Sequence, residues 1–157
     1  MQATNWNRKA LLGSFDKPLA PLFPLAVLVF DLALLGAGLA VVLLATGVAL
    51  KLVGTCIVTA GIVRLFMVGH DACHGSFSGN KKLNAVCGRI AFLPSMTAFS
   101  LWQVGHNTAH HGFNNLKGRD QVWAPLSKLE FDALPRYRQL LEHLYRSGFG
   151  WGAYYLV

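Results

Sequence analysis

Charged side chains are scarce in this sequence. Asp, Glu, Lys and Arg make up 13% of the 157 residues, against 54% hydrophobic, a balance that excludes an ordinary soluble domain of this length and leaves a membrane protein. Acids are scarcest, seven against fourteen Lys and Arg, for a net charge of +7. A basic chain invites a nucleic-acid partner, yet no basic helix interleaved with aromatics and no nucleic-acid motif occurs, so none is expected. Retention of positive charge on the cytoplasmic side of a membrane explains the excess. Cysteine is also thin: Cys56, Cys73 and Cys87 form an odd set without paired spacing, which excludes a disulfide framework and fits a reducing, cytosolic face. No internal repeat, low-complexity tract or clear signal-peptide cleavage site is evident.

What the chain does have is histidine in clusters. Five of its six histidines lie between His70 and His111, in HDACHGSF and then WQVGHNTAHHGFNN. On a helix His70 and His74 are one turn apart on one face, as are His106 and His110. On ideal α-helical geometry His111 stands well round from both, so it joins their stripe only if the helix bends. His110 and His111 are therefore expected to serve different ions. Five histidines this close would repel one another if protonated, and a shared metal is the usual reason for such crowding. An all-nitrogen donor set suits iron, zinc or copper rather than magnesium or calcium. Cys73, between the first pair, reads as a small buried thiol. His143 is isolated and reads as a surface residue.

The spans follow from apolar runs. Residues 1–17 are polar and carry Arg8, Lys9 and Lys17, which holds them in the cytoplasm. Residues 21–45 are long enough to cross a bilayer core; after a tight turn at 46–48, residues 49–68 cross back. The fold class is thus an all-α membrane protein whose first two transmembrane helices form an antiparallel hairpin, with His70 emerging on the cytoplasmic side. Asp31 and Arg64 lie equally far from the turn, roughly 25 Å along each helix, near the edge of a core about 30 Å thick. They are expected to form a structural ion pair. An intramembrane carboxylate is otherwise a functional candidate by default.

Residues 83–102 are apolar enough to pass for a third span. A full crossing would place the two histidine clusters on opposite faces of the membrane, so a helix lying in the interface, or dipping in and returning at a Pro94 bend, is expected instead. Lys81, Lys82, Lys117, Arg119, Lys128, Arg136, Arg138 and Arg146 then share the cytoplasmic side, leaving Lys51 opposite. Asn114 to Ser127 reads as a polar loop. Residues 134–146 have the periodicity of an amphipathic surface helix, and residues 148–157 read as the start of a further transmembrane segment.

These motifs carry a resemblance. H-x3-H at His70 to His74 and H-x3-HH at His106 to His111 are similar to the first two histidine boxes of membrane fatty acid desaturases. HDACHGSF, GRIAFLP, W-x3-HN-x2-HH and D-x2-W-x-P at Asp120, Trp123 and Pro125 resemble the acyl-lipid type. The resemblance covers the chain from the second span onward and implies a di-iron centre held by three histidine boxes at the cytoplasmic ends of four transmembrane helices. The third box is not in this sequence, so the chain is expected to be the N-terminal half of such a domain, with an incomplete ligand set and poor iron binding alone.

The implied reaction introduces a double bond into an acyl chain carried by lipid, CoA or carrier protein, with O2 as co-substrate. Breaking an unactivated C–H bond is beyond any acid or base at neutral pH. Asp71 and Asn107, each beside a box histidine, are expected to orient imidazoles or else to act in capping. Phe77, Phe92, Phe99, Trp102 and Trp123 are candidates for the acyl channel or for interface anchors. No haem-binding motif of a fused cytochrome b5 is present, so electrons are expected from an external donor such as ferredoxin or cytochrome b5. The basic face would attract an acidic donor or anionic lipid. A hydroxylase or carotenoid ketolase of the same superfamily, and a non-catalytic membrane remnant, are the alternatives.

Overall fold

The computed structural model describes residues 22–114, 116–120 and 126–148. All regular structure among them is helical. Helix α1 runs Phe23–Leu44 and α2 runs Val48–Cys73; both are long and apolar enough to cross a membrane. Only 17% and 28% of their apolar windows are buried. Large side chains such as Val29, Leu43, Leu50 and Val63 stand outward, which is stable only against lipid or another apolar surface.

Small residues let α1 and α2 approach closely, the device expected where lipid removes any hydrophobic drive to associate. A methyl group added at Gly61 would lie 3.0 Å from the Leu35 backbone, at Gly54 2.9 Å from Val42, and at Gly38 2.8 Å from Val58. As residue numbers rise on one helix, their partners' numbers fall on the other. The Asp31–Arg64 ion pair belongs to the same register, with Arg64 Nε donating to Asp31 Oδ1 at 2.6 Å. Asp31 is fully buried and the Arg64 side chain half exposed, so the carboxylate is desolvated only because its partner is fixed opposite.

Helix α2 continues past the expected end of its span, through His70 to Cys73. Gly75, at φ +73°, then reverses the chain, with Gly75 N–H donating to Ala72 O and Ser76 N–H to Asp71 O, both at 3.0 Å. That pairing and left-handed glycine form a Schellman stop. Asn80 caps the next helix, α3 (Lys81–Phe92), its side chain accepting from the Lys82 and Leu83 amides.

The apolar stretch expected at 83–102 is not one helix. Helical winding is interrupted at residues 93–98 around Pro94, where Met96 adopts φ +53°, and a second short helix, α4, follows at Phe99–Val104. Pro94 cannot donate to a helical ladder, and past it the Phe92 carbonyl accepts from Ser95 Oγ at 3.0 Å and from Thr97 N–H at 3.2 Å. The expected bend is thus present, spread over six residues as a turn.

Below the histidines lies an aromatic core. Phe92 is completely buried, with ring centroids 5.1 Å from Phe66, 5.2 Å from Trp102 and 6.1 Å from Phe99. Two glycines make room: a methyl at Gly69 would sit 2.2 Å from the Phe92 ring and one at Gly88 2.1 Å from the Phe99 ring.

The residues fall into two units, up to His111 and from Gly112 onward. In the second, Ser127 and Glu130 form a capping box at the start of α5 (Lys128–Asp132), and Lys117 pairs with Glu130. The expected amphipathic helix appears as α6 (Arg136–Tyr145), entered through Pro135. Leu134, Tyr137, Leu141 and Tyr145 line a cavity of about 610 Å³. Residues 149–157, where a further span was expected, lie outside the described residues, as do 1–21 and Trp123.

Gly69→Ala is expected to cost about 1–3 kcal/mol through overpacking against Phe92. Gly36→Ala, on α1 with nothing within 4 Å of the added methyl, should be neutral or stabilising by up to about 1 kcal/mol. Thermal unfolding of the two variants in detergent checks the contrast.

Candidate metal centre

His70 lies in the last turn of α2 and His74 is its C-cap, so the carbonyl-rich, negative end of a 26-residue helix carries both. His106 and His111 come from the segment after α4, and there the winding changes. Gly105–His110 is a π-helix, in which His111 N–H donates to His106 O at 2.9 Å. Five residues per hydrogen-bonded turn place His111, rather than His110, over His106.

This corrects the α-helical expectation for the second cluster. The Nε2 atoms of His106 and His111 stand 3.1 Å apart. The four ligating nitrogens of His70, His74, His106 and His111 lie within 4.8 Å of one another. His110 is outside that group, with its ring centroid 5.2 Å from both His106 and His111. His143 is exposed in the second unit, edge-on to Phe131 at 5.3 Å.

The donor set fits a transition metal. Imidazole nitrogens bind such ions at about 2.0–2.1 Å, so two on one ion stand at most about 4.2 Å apart. Small ring rotations close the remaining gap. Asp71, the single acid in the histidine-bearing stretch, is engaged: its Oδ1 lies 3.0 Å from His70 Nδ1. Accepting the Nδ1 proton fixes the tautomer and leaves His70 Nε2 with its lone pair free.

Asn107 does not orient a ring. Its Nδ2 donates to the Cys73 carbonyl at 2.9 Å, and Gln103 Nε2 donates to the same oxygen at 3.1 Å. Gln103 was not singled out in the sequence, and only its spacing of four residues before Asn107 could have marked it. Trp102 is no free channel wall either. Its ring stacks on His106 at 3.9 Å and 19° and meets His70 edge-on at 5.5 Å, forming a plate between cluster and core.

Of the other channel candidates, Phe92 is packed in the core, while Phe99 borders a cavity of about 320 Å³ with His74, Arg89 and Gln103. Phe77 borders another of about 320 Å³ with Asp31, Arg64 and Asp71.

Two members of the cluster, His106 and His74, are held toward the neutral form. Burial, then its neighbours His70, His111, His74 and His110, push His106 down from 6.5 to about 4. His74 is lowered by burial, then by His70 and His111, against a smaller upward pull from Asp71. A neutral imidazole is the form that binds metal.

Comparison with known proteins follows the same residues. The family model described as fatty acid desaturase matches residues 47–156. Among curated relatives, an sn-1 oleoyl-lipid 12-desaturase of Arthrospira platensis is 37% identical over 86 residues, covering 55% of this chain and 24% of that protein. A chloroplastic omega-6 fatty acid desaturase of Glycine max is 34% identical over 84 residues, 54% of this chain and 20% of that protein. An sn-1 acyl-lipid omega-3 desaturase (ferredoxin) of Synechocystis sp. is 36% identical over 77 residues, 49% and 21%. The chain thus spans no more than about a quarter of these relatives. No solved structure matches.

Depressed folded-state values give stability above the unfolded value and lose it as protons bind the folded cluster. The metal-free protein should therefore lose stability as pH falls from 6.5 through about 4. The His106 ring resonance, followed by NMR, should titrate near the lower figure.

Proposed function

Because the chain belongs to the fatty acid desaturase family, we propose that the protein is an O2-dependent desaturase that places a double bond in an acyl chain. The carrying observation is the convergence of four imidazole nitrogens within 4.8 Å, next to helices apolar enough to lie in a bilayer. His70, His74, His106 and His111 would hold one iron, and His110 would contribute to a second. Iron bound there would supply the oxidising power, drawn from O2, that an unactivated methylene requires.

The balance of the reaction is one acyl –CH2–CH2– unit, O2, two electrons and two protons giving –CH=CH– and two waters. The chain's own residues prepare the site for it. Asp71 holds the His70 tautomer, burial and then the neighbouring histidines hold His74 and His106 toward the neutral form, and the Phe66–Phe92–Trp102 plate closes the core side against water. Of the aromatic channel candidates, Phe77 and Phe99 are kept for the acyl chain because each borders open space.

The substrate is an acyl chain in a lipid, the carrier named in two of the relatives. The two electrons come from an external donor such as ferredoxin, which one relative's name records, or cytochrome b5. Helices α1 and α2 form a transmembrane hairpin with the N-terminus and both histidine boxes on the cytoplasmic side. Lys81 and Lys82 flank the first box there, as positive charge is retained on that face.

The test is expression of the protein together with the third histidine box that the family resemblance implies, in a host that lacks the product, with acyl chains analysed by mass spectrometry. A new unsaturated chain is expected, and His74→Ala or His111→Ala should reduce it to background. His143→Ala, in the other unit, should leave it unchanged. A product carrying a hydroxyl oxygen from labelled O2 would replace this reading with a hydroxylase.

A further inference from the structure

We propose that Gln103 and Asn107 are positioning residues that tie the two histidine pairs together through one backbone atom, the carbonyl oxygen of Cys73, before any metal arrives. The inference rests on the metal reading above for its purpose, but not for its geometry.

The end of α2 leaves that oxygen without a backbone partner. His74, Gly75 and Ser76 amides donate to the carbonyls of His70, Ala72 and Asp71, which completes the Schellman stop and passes over Cys73. A buried or half-buried carbonyl at a helix end needs a donor from elsewhere. It receives two, from Gln103 at 3.1 Å and Asn107 at 2.9 Å, and both come from the segment bearing the second histidine pair.

The positions matter. Cys73 immediately precedes His74, and Asn107 immediately follows His106, so each end of the tie is one residue from a clustered histidine. Apolar packing anchors α4 through Phe99 and Trp102 but stops short of the π-helical turn. No residue of Gly105–His110 is buried, so apolar burial does not set its place, and α4 before it has only six residues. Trp102 fixes the plane of the His106 ring by stacking. The two amides fix where the backbone lies along α2.

The Asn107 amide also has a fixed sense. A carbonyl accepts only N–H, so Nδ2 faces Cys73 and Oδ1 is left buried without a hydrogen-bond partner. Unmet acceptors lower stability. Replacing Asn107 by leucine removes the donated bond and the unmet acceptor together, so its effect on thermal stability is small while its effect on spacing is not. A mere cap on α2 would behave in the opposite way.

The experiment uses the protein in detergent with two readouts. Nitroxide labels at Met67→Cys and Leu101→Cys, both exposed, in a Cys56→Ser background report the distance between α2 and α4 without metal. Cobalt(II) titration, read by its visible absorption, reports ligand geometry and affinity. In Gln103→Leu/Asn107→Leu the distance distribution should broaden, and cobalt affinity should fall about 10–100-fold, the usual effect of losing support around a metal site. Asn107→Asp, which keeps the volume but cannot donate when ionised, should behave alike, and Gln103→Arg, which keeps a donor, should restore the distribution in the presence of Asn107. In Asn107→Leu alone, where Gln103 still donates to the Cys73 carbonyl, the thermal midpoint should be nearly unchanged.

An unchanged distance distribution in both the double variant and Asn107→Asp overturns the tie. Broadening without any cobalt absorption in the parent protein upholds the tie and removes the metal reading instead.

Discussion

Four imidazole nitrogens have to reach a common point from two segments far apart in the chain, and that convergence sets the demands on everything around it. Imidazole is short, so the backbones bearing it must come close. The close approach is obtained by removing side chains where they would intervene: Gly69 faces Phe92 and Gly88 faces Phe99, with added methyl groups reaching 2.2 and 2.1 Å. The break at residues 93–98 then turns the chain back, so that α4 starts beside α2 instead of continuing away from it. Without that break an unbroken apolar helix would carry His106 out of reach of His70.

The same convergence explains the changed winding of the second pair. An α-helical turn aligns His106 with His110, and a π turn aligns it with His111. The doublet HH offers one histidine for each winding. The structure takes the π option for the four-nitrogen cluster and leaves His110 at its margin, which separates the two members of the doublet by backbone geometry alone. A π turn is intrinsically less favourable than an α turn, and its appearance at functional sites is a recurring pattern.

Much of this was legible in the sequence, for identifiable reasons. Charge scarcity and two long apolar runs gave α1 and α2 to within a few residues at their outer ends, because the hydrophobic signal of a span is strong. The Asp31–Arg64 pairing followed from one turn and one helical rise, and the 2.6 Å contact is where that geometry puts it. The histidines were legible because i, i+4 spacing is a local property. The partner of His106 was not, since α-helical periodicity points to His110 and the π turn depends on what the segment packs against. Gln103 escaped for a related reason: an amide on a helix carries no signal until the carbonyl it serves is in view. The aromatic set shows the limit of composition, which marks Phe92 and Trp102 as large and apolar but cannot say whether they line a channel or fill a core.

Neutrality of the cluster and the end of α2 work together. Burial, then the neighbouring histidines, hold His106 and His74 toward the neutral form, so protons are poor competitors at these two positions. A metal cation meets a different balance. It arrives with its own charge but brings each nitrogen lone pair a partner, and it does so at the negative end of a long helix. The arrangement excludes one small cation, the proton, and favours a larger one able to bind several nitrogens at once. Coordination number, more than charge, is what the site selects.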